Sequence, residues 1–451
     1  MTEHLWIKDP IAALGDGAER GMVVADGRIV ELVPTGAEPV HPVHRVFDAS
    51  RHVVTPGLIN THHHMFQTMT RAHPLAINKS LWPWIASIYP VWTRHVNATN
   101  FRLAARLAMT ELMMSGCTTA SDHHYLFPKG LEDAMDIEAE EAAAIGLRMT
   151  LTRGALDLTG AEDSQAIAPD GAVQDDDVIL DDCERVIARY HDAADGAMTR
   201  VALAPNAPFD VTKRLMRETA ALAEKHDCRL HTHLVETARE AAFAREKHGM
   251  TAADYLEEVG WLNDRVWLAH GIYFDDAEVA KLGRHGVGIC HCPTSNMVLS
   301  SGICRTKELE AAGSPIGLGV DGSASNDNSN LMEAVRHALM IGRLRYDAET
   351  VTHRDALRWA TEGSARCLGR DDIGAIAVGK QADLAFWSLD ELRFSGAGDP
   401  IAALVLCGAH AADRVMVKGD WRVEDGAPVG VDLGRLRYEH HQASRAFLEA
   451  L

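Results

Sequence analysis

Eight short apolar segments, most of them ending in polar or glycine residues, alternate along the middle of the chain with alanine-rich amphipathic segments. The eight segments are HVVTPGLINTHHH, CTTASDHH, RMTLTRGAL, RVALAPNAP, RLHTHLVE, VWLAHGI, VGICHCP and IGLGVDGS. This alternation is typical of parallel strands joined by helices, and eight such units are what a closed (β/α)8 TIM-like barrel needs. A doubly wound open sheet shares the alternation, but its GxGxxG phosphate turn is absent after the first segment, which favours the barrel.

The two ends of the chain have a different pattern, with short strand-like runs separated by turns. An Asp-Gly pair at residues 26 and 27 lies between two apolar stretches, and a second pair at residues 425 and 426 follows another strand-like run. Asp-Gly in this setting is typical of a hairpin turn. We therefore predict that both ends pair into one small β-sandwich beside the barrel.

These patterns predict a three-part division of the chain. Residues 1–55 form the first part of the sandwich, residues 56–375 the catalytic barrel, and residues 376–451 the second part of the sandwich and a C-terminal helix. Residues 159–177 are the most loop-like stretch, and both a lid and a solvated surface loop fit their composition.

Composition and charge exclude several classes of function. The 451 residues are 47% hydrophobic and 24% charged, which is ordinary for a soluble globular protein. The net charge of −20 repels polyanions, so a nucleic-acid polymer is not expected as a partner. The first thirty residues lack a basic segment followed by a long apolar stretch, and no later run approaches about 18 uninterrupted apolar residues. We predict a cytoplasmic protein without a membrane partner, and we expect a homo-oligomer.

The eight cysteines do not form a disulfide framework. They are scattered along the chain without a CxxC pair, which favours buried thiols. Cys290 and Cys292 flank His291, and both a metal site and simple alternation along a strand fit this trio. We favour the alternation.

Histidines two residues apart at the end of a strand are the first sign of a metal site. His62 and His64 follow the first apolar segment, and on a strand both imidazoles point to one face. The fifth segment repeats this spacing with His231 and His233. One such pair is weak evidence, because core packing also produces it.

Further polar residues stand at the ends of other predicted strands. Glu236 follows the fifth segment, His270 ends the sixth, and Asp321 follows the wholly apolar IGLGV of the eighth. Each has an alternative role. Glu236 could be a salt-bridged loop residue, His270 a hydrogen-bonded core histidine, and Asp321 a helix cap. However, all of these residues stand at the carboxyl ends of strands, where barrel enzymes keep their chemistry.

Together these residues form a set suited to metal-dependent hydrolysis. His62, His64, His233 and Asp321 offer three nitrogens and one oxygen, which suits zinc or ferrous iron and leaves a position open for water. Glu236 is the candidate general acid and base, and His270 is placed to hold the attacking water or the developing charge. We predict one divalent ion per chain, with Zn²⁺ favoured over Fe²⁺.

The sequence resembles the amidohydrolase superfamily, in its triazine hydrolase and guanine deaminase branch. The resemblance spans nearly the whole chain. It is carried by PGLINTHHH (56–64), HTHLVE (231–236), LAHG (268–271), CHCPTSN (290–296), GLGVDGSASND (317–327) and IGAIAVGKQADLAFW (373–387).

This resemblance implies a barrel with a small β-sandwich and the same four metal ligands, with Glu236 shuttling protons and His270 beside the attacking water. The two-metal members of the superfamily place a bridging lysine on the fourth strand. The fourth segment here, RVALAPNAP, has none. The resemblance therefore implies one metal ion.

Within that branch the sequence is most similar to the 8-oxoguanine deaminase group. The resemblance implies that Gln67 and Asn206 face the substrate ring. That group has a cysteine at the position of Asn206, so this residue is a departure that bears on the substrate. Tying down its own loop before Pro208 is an alternative role for Asn206.

Three functions follow from this interpretation. The first is hydrolytic deamination of an amino-substituted heterocycle, with 8-oxoguanine preferred and isocytosine, pterins and hydroxytriazines as alternatives. The second is hydrolytic dechlorination of a triazine, which requires the same activated water. The third is a non-catalytic ligand-binding barrel, and it is disfavoured because every chemical position holds a competent residue.

Overall fold

The computed structural model of the protein describes residues 3–159 and 168–449. The strands within these residues are β1 (Leu5–Lys8), β2 (Ala12–Ala13), β3 (Gly21–Ala25), β4 (Arg28–Leu32), β5 (Arg45–Asp48), β6 (His52–Pro56), β7 (Leu58–Asn60), β8 (His63–His64), β9 (Cys117–His124), β10 (Arg148–Ala155), β11 (Thr199–Pro205), β12 (Arg229–Leu234), β13 (Val266–His270), β14 (Gly288–His291), β15 (Ile316–Leu318), β16 (Asp321–Gly322), β17 (Leu384–Ser388), β18 (Arg414–Val417), β19 (Asp420–Glu424) and β20 (Ala427–Pro428).

The α-helices within the same residues lie mostly between the barrel strands. They are α1 (Leu81–His95), α2 (Ala98–Met114), α3 (Ala134–Ile145), α4 (Asp176–Tyr190), α5 (Lys213–His226), α6 (Ala238–His248), α7 (Ala252–Glu258), α8 (Asp276–Arg284), α9 (Pro293–Val298), α10 (Thr306–Ala312), α11 (Leu331–Arg345), α12 (His353–Arg358), α13 (Ser364–Cys367), α14 (Pro400–Leu406) and α15 (Leu433–Leu448). Short 3₁₀ segments are formed by Met65–Thr70, Asp170–Ala172 and Leu392–Phe394, and a π-helical turn by Trp359–Gly363.

Eight strands close into a barrel. Their order around it is β10-β11-β12-β13-β14-β15-β7-β9, and every neighbouring pair is parallel. Each of the eight predicted segments supplies one of these strands, so the predicted barrel is confirmed. The helices pack around it, because a parallel sheet is apolar on both faces and both must be covered.

The first predicted segment is not one continuous strand, as the sequence suggested. It is divided into three strands. Strand β6 pairs with β17 outside the barrel, β7 belongs to the barrel, and β8 pairs with β16. Gly57 lies at the first break, where a Cβ atom would come within 2.1 Å of the Thr118 side chain. The division lets one stretch of chain join the outer sheet, the barrel and the metal-ligand region in succession.

Both ends of the chain build the smaller domain, as predicted. A four-stranded sheet, β4-β3-β1-β5, faces a six-stranded sheet, β2-β6-β17-β18-β19-β20. The buried apolar residues between them come from both ends and include Ile7, Met22, Ile29, Val54, Leu384, Phe386 and Met416. The sandwich therefore forms only when the two ends of the chain meet.

A buried ion pair joins the barrel to the sandwich. Arg148, the first residue of β10, donates from Nε and Nη2 to the two carboxylate oxygens of Asp383 over 3.0 and 3.1 Å. The two side chains are 0% and 2% exposed. Asp383 also accepts the backbone N–H of Lys418 over 2.7 Å. The pair thus ties a barrel strand to the residues around two sandwich strands.

Part of the predicted lid or surface loop lies outside the described residues, which omit 160–167. In the described remainder, the turn Asp170–Ala172 contacts α1, and Ala172 is buried. No helix in the described ranges is both long enough and apolar enough to cross a bilayer.

Removing Asp383 should test the joint between the two domains. Asp383→Ala leaves the buried Arg148 guanidinium without its carboxylate, and we expect the free energy of unfolding to fall by about 3–5 kcal/mol. Asp195→Ala is the matched control, because Asp195 forms an ion pair with Arg28 at the surface. We expect its effect to stay below about 1 kcal/mol. Denaturant unfolding measures both changes, and equal effects would contradict the assignment.

Candidate active site

The polar side chains selected from the sequence meet at the carboxyl end of the barrel. They are His62, His64, His233, Glu236, His270 and Asp321. Asp321 Oδ1 lies 3.4 Å from His62 Nε2 and 3.3 Å from His64 Nε2. The Nε2 atoms of His64 and His233 are 3.2 Å apart. Residues far apart in sequence thus form one compact buried cluster.

Two overlapping groups in this cluster have potential ligand atoms within 4.8 Å of one another. The first is His62, His64, His123 and His233, and the second is His62, His233, His270 and Asp321. Neither group contains all four predicted ligands, because His64 is only in the first and Asp321 only in the second. The contacts of Asp321 with His62 and His64 connect the two groups. His123 and His270 are the additional candidates.

The tautomers of two histidines follow from their hydrogen bonds. His64 Nδ1 lies 2.8 Å from the backbone oxygen of His123, and His233 Nδ1 lies 2.8 Å from that of Asn206. A carbonyl oxygen only accepts, so each Nδ1 is the donor and each Nε2 of the neutral ring carries a lone pair. Burial, followed by the neighbouring His64, lowers the pKa of His233 to about 3, so this ring is neutral near pH 7.

A relay through His231 sets the tautomer of His62. His231 Nδ1 donates to the backbone oxygen of Trp267 over 2.8 Å, so its Nε2 is an acceptor. His62 Nδ1 lies 2.7 Å from that Nε2 and must be the donor, which leaves the lone pair of His62 on Nε2. Sequence reasoning noted the spacing of His231 but gave it no role. Its pairing with another histidine depends on strand neighbours that the sequence does not display.

His123 is a second residue that sequence reasoning missed. It lies on β9, its ring stacks on His233 with centroids 4.7 Å apart, and its Nε2 donates to the backbone oxygen of Ala204 over 2.9 Å. Its backbone oxygen also orients His64. The available signal was a polar ending on the second predicted strand, DHH, but two adjacent histidines do not reveal which one points inward.

Left-handed backbone conformations aim three of the site segments. Val235, His270 and Asp321 have φ angles of 46°, 70° and 66°. Such values are uncommon for residues with a side chain, and least favourable for a β-branched one. They lie where β12, β13 and β15 give way to the barrel mouth. The turn at Val235 directs the next side chain, Glu236, toward the cluster. The turns at His270 and Asp321 direct the side chains of these residues themselves.

Glu236 and His270 form a proton-handling pair. Glu236 Oε2 lies 3.5 Å from His270 Nε2, and both side chains are buried. Burial, with a contribution from Asp321, raises the pKa of Glu236 above its usual value. Burial opposes protonation of His270, but the charges of Glu236 and Asp321 raise its pKa. Both pKa shifts favour holding a proton between the two groups, so the pair is suited to proton transfer.

The carboxylate of Asp321 is stabilised in its ionised form. Burial opposes ionisation, but the neighbouring imidazoles of His62, His64 and His270 hold the pKa of Asp321 well below its usual value. Its Oδ1 also accepts the backbone N–H of Gly322 over 2.7 Å. Asp321 is not a helix cap, which was the alternative from sequence.

A pocket with aromatic walls opens beside the cluster. Its walls include Gln67, Leu81, Trp84, Tyr89, Tyr125, Asn206, Phe209, Glu240 and Leu299. The two residues predicted to face the substrate are therefore both in the wall. Flat apolar walls with a few polar groups are typical of sites for ring-shaped ligands.

The two amide side chains offer different groups to this pocket. Asn206 Nδ2 donates to Asp210 Oδ2 over 2.8 Å, and its buried Oδ1 has no hydrogen-bond partner within the part of the chain that is described. Asn206 thus ties down its loop and also leaves one acceptor available. Gln67 Oε1 accepts the backbone N–H of Ala324 over 3.2 Å, which leaves its NH2 as the group to donate.

Cys290 and Cys292 share one face of their segment. Their sulfurs are 3.7 Å apart, and both lie in the apolar cluster inside the barrel. Neither they nor His291 belongs to a group with metal-site geometry among the described residues. Alternation along the strand is therefore the better interpretation of the trio.

The cluster fits a divalent cation. The Nε2 atoms of His64 and His233 both carry lone pairs and lie 3.2 Å apart, with a carboxylate oxygen equally close. Lone pairs at this separation repel one another unless a positive charge lies among them. Three imidazole nitrogens and one carboxylate oxygen are a donor set that zinc and ferrous iron accept.

The barrel and its cluster define a metal-dependent hydrolase. The model of the Amidohydrolase family matches residues 53–422, and the chain belongs to this family. It is 55% identical over 446 residues to 8-oxoguanine deaminase from Pseudomonas aeruginosa, covering 98% of this chain and 99% of the relative. It is 35% identical to isoxanthopterin deaminase from an unknown prokaryotic organism, covering 92% and 89% of the two chains.

A solved structure shows the same architecture. Atrazine chlorohydrolase from Arthrobacter aurescens TC1, complexed with zinc, superposes with a TM-score of 0.92 at 30% identity, covering 98% of this chain and all of that one. The likeness confirms the fold and agrees with a divalent-metal site in this family.

Replacing His231 should test the relay that orients His62. His231→Phe keeps a flat ring against Trp267, where the centroids are 4.3 Å apart, but removes the acceptor for His62 Nδ1–H. We expect metal affinity to fall by about 10–100-fold, measured by competition with a chelator. His291→Phe is the control, because His291 is a buried barrel histidine outside the cluster. Unchanged affinity in His231→Phe would contradict the relay.

Proposed function

We propose that the protein is a mononuclear deaminase that converts 8-oxoguanine and water to urate and ammonia. The observation that carries the proposal is the convergence of a cation-binding cluster and a Glu–His pair at the end of an aromatic pocket. The 55% identity to an 8-oxoguanine deaminase over nearly the whole chain supports the choice of substrate.

His62, His64, His233 and Asp321 are the proposed ligands of one divalent ion, with Zn²⁺ preferred and Fe²⁺ as the alternative. A divalent ion held there lowers the pKa of a water molecule toward neutrality and so supplies a nucleophile. A single ion is proposed because β11 carries no lysine that could bridge two. His270 is assigned a role outside the ligand set, because it is held between two carboxylates that favour its protonated form.

Glu236 is the proposed proton carrier. It takes a proton from the attacking water as the water adds to the carbon that bears the amino group. It then returns this proton to the amine, which leaves as ammonia. A raised pKa suits this task, because the group must accept and donate within one cycle. Protonated His270 stabilises the negative charge that develops on the attacked ring.

Asn206 and Gln67 are the proposed contacts to the edge of the ring. Amino-oxo heterocycles present alternating donors and acceptors. The Asn206 carbonyl suits a ring N–H, and the Gln67 NH2 suits a ring nitrogen or oxo group. Isoxanthopterin, isocytosine and hydroxytriazines have related edges and are the alternative substrates. A non-catalytic binding barrel and triazine dechlorination are the alternatives outside deamination.

Two further expectations from the sequence stay predictions. They are the cytoplasmic location and the homo-oligomeric state.

Ammonia release and metal content test the proposal together. Wild type should release ammonia from 8-oxoguanine and hold one divalent ion per chain, and removal of the ion should abolish turnover. Glu236→Gln cannot carry a proton, so we expect turnover to fall by about 100-fold or more while the metal stays bound.

Glu246→Gln, which changes an exposed glutamate in α6, is the control for this substitution. His270→Asn should keep its metal, and its loss would make His270 a ligand. Two metal equivalents in fully active protein would overturn the mononuclear proposal. Release of chloride from a chlorotriazine, without ammonia from any amino heterocycle, would favour the alternative chemistry.

Substitution of the two amides tests substrate recognition. In Asn206→Ala and Gln67→Ala, a polar group of the substrate loses its partner. We therefore expect kcat/KM for 8-oxoguanine to fall by about 10–100-fold each, with metal content unchanged. Asn263→Ala is the control, because Asn263 precedes β13 at the opposite end of the barrel. If another ring is deaminated and 8-oxoguanine is not, the preferred substrate is wrong.

A further inference from the structure

One loop contacts both members of the proton-handling pair. The loop comprises α9 and the residues up to Gly302, and it follows barrel strand β14. Within it, Asn296 Oδ1 accepts from His270 Nδ1 over 2.9 Å. Ser301 Oγ donates to Glu236 Oε1 over 2.6 Å. A segment that contributes no proposed metal ligand therefore orients both groups that move protons.

Ser301 is held rigidly in the place from which it donates. It is buried, with 4% of its surface exposed. Its backbone N–H donates to the Asn296 carbonyl over 2.8 Å, and its own carbonyl accepts the Tyr273 hydroxyl over 2.7 Å. Both backbone polar groups are therefore fixed, and the hydroxyl has little freedom to move away from Glu236.

The backbone on either side is specialised for this position. Ser300 and Gly302 have φ angles of 57° and 139°. A Cβ atom at Gly302 would lie 2.9 Å from the Ile272 side chain, so only glycine fits there. Left-handed geometry on both sides of one serine is costly, and such costs are found where a side chain must be aimed.

The two oxygens of Glu236 consequently have different environments. Oε1 accepts the Ser301 hydroxyl, whereas Oε2 lies 3.5 Å from His270 Nε2. An oxygen that already accepts a short hydrogen bond is a weaker proton acceptor than its free partner. The geometry thus distinguishes Oε1, which is held by the Ser301 hydroxyl, from Oε2, which is available to accept a proton.

We propose that Ser301 is a positioning residue that occupies Oε1 of Glu236, so that the proton is carried on Oε2, between His270 and the substrate. This inference rests on the proposed function of Glu236 as proton carrier. Ser301 does not itself take part in proton transfer. It acts by fixing the rotamer of the carboxylate and by selecting which oxygen accepts.

Ser301→Ala is the central variant, because it removes one hydroxyl and leaves the backbone hydrogen bonds available. We expect kcat to fall by about 10–100-fold, KM to change by less than about 3-fold, and metal content to stay the same. Ser301→Thr retains a hydroxyl and should recover most of the loss. Ser314→Ala is the matched control, because Ser314 is a buried serine just before β15, at the opposite end of the barrel.

A double-mutant cycle separates positioning from general packing. If Ser301 acts through Glu236, then Ser301→Ala should have almost no further effect on single-turnover rate in a Glu236→Gln background. A full additional loss in that background would overturn the proposal, and so would a Ser301→Ala enzyme with the kcat of wild type.

The pKa of Glu236 is a readout that does not depend on turnover, so it tests the role of Ser301 separately from the proposed function. In metal-loaded protein with ¹³C-labelled glutamate, the Glu236 signal is assigned by its absence in Glu236→Gln. Loss of the Ser301 donor should raise the pKa of Glu236 by about one unit or more. An unshifted titration overturns the role of Ser301 even if ammonia is released. Absence of ammonia from every heterocycle overturns the proposed function, whatever the titration shows.

Discussion

Repulsion among the lone pairs of buried imidazoles is the constraint on which this site depends. His64 Nε2 lies 3.2 Å from His233 Nε2 and 3.3 Å from a carboxylate oxygen of Asp321. When both rings are neutral these lone pairs repel one another, and a bound cation turns them into a set of ligands. The surrounding structure serves to hold these atoms in place against that repulsion.

The barrel holds each ring with backbone groups of neighbouring strands. His64 donates to a carbonyl of β9, His233 to one just beyond β11, and His231 to one of β13. Parallel strands place such carbonyls at regular intervals around the mouth. Hydrogen bonding to the strands thus supplies the tautomers that a metal site needs, and the same sheet that forms the core also aligns the ligands.

The proton-handling pair is controlled by a different part of the chain. Asn296 and Ser301, in the loop after β14, contact His270 and Glu236, while the ligands are held from β9, β11 and β13. Metal binding and proton transfer are therefore supported by separate segments. In such an arrangement, substitutions in the loop can alter proton transfer without releasing the ion. The Arg148–Asp383 pair at the other end of β10 fastens the whole barrel to the sandwich.

The sequence by itself determined the eight strands, the pairing of the two chain ends into a sandwich, and the six polar residues of the cluster. These features repeat locally as apolar runs, Asp-Gly turns and residues at strand ends, so they are visible without knowing which strands are neighbours. The family resemblance added Gln67 and Asn206, and both lie in the pocket wall.

Only the tertiary structure decided the division of the first segment into three strands, the relay from His231 to His62, the stacking of His123 on His233, and the contact of Ser301 with Glu236. It also decided that the NH2 of Asn206 is bound to Asp210, which leaves its carbonyl for a ligand. The physical reason is that hydrogen bonds between strand ends join residues up to 260 positions apart. Their partners depend on barrel closure and on single left-handed residues, neither of which has a local sequence pattern.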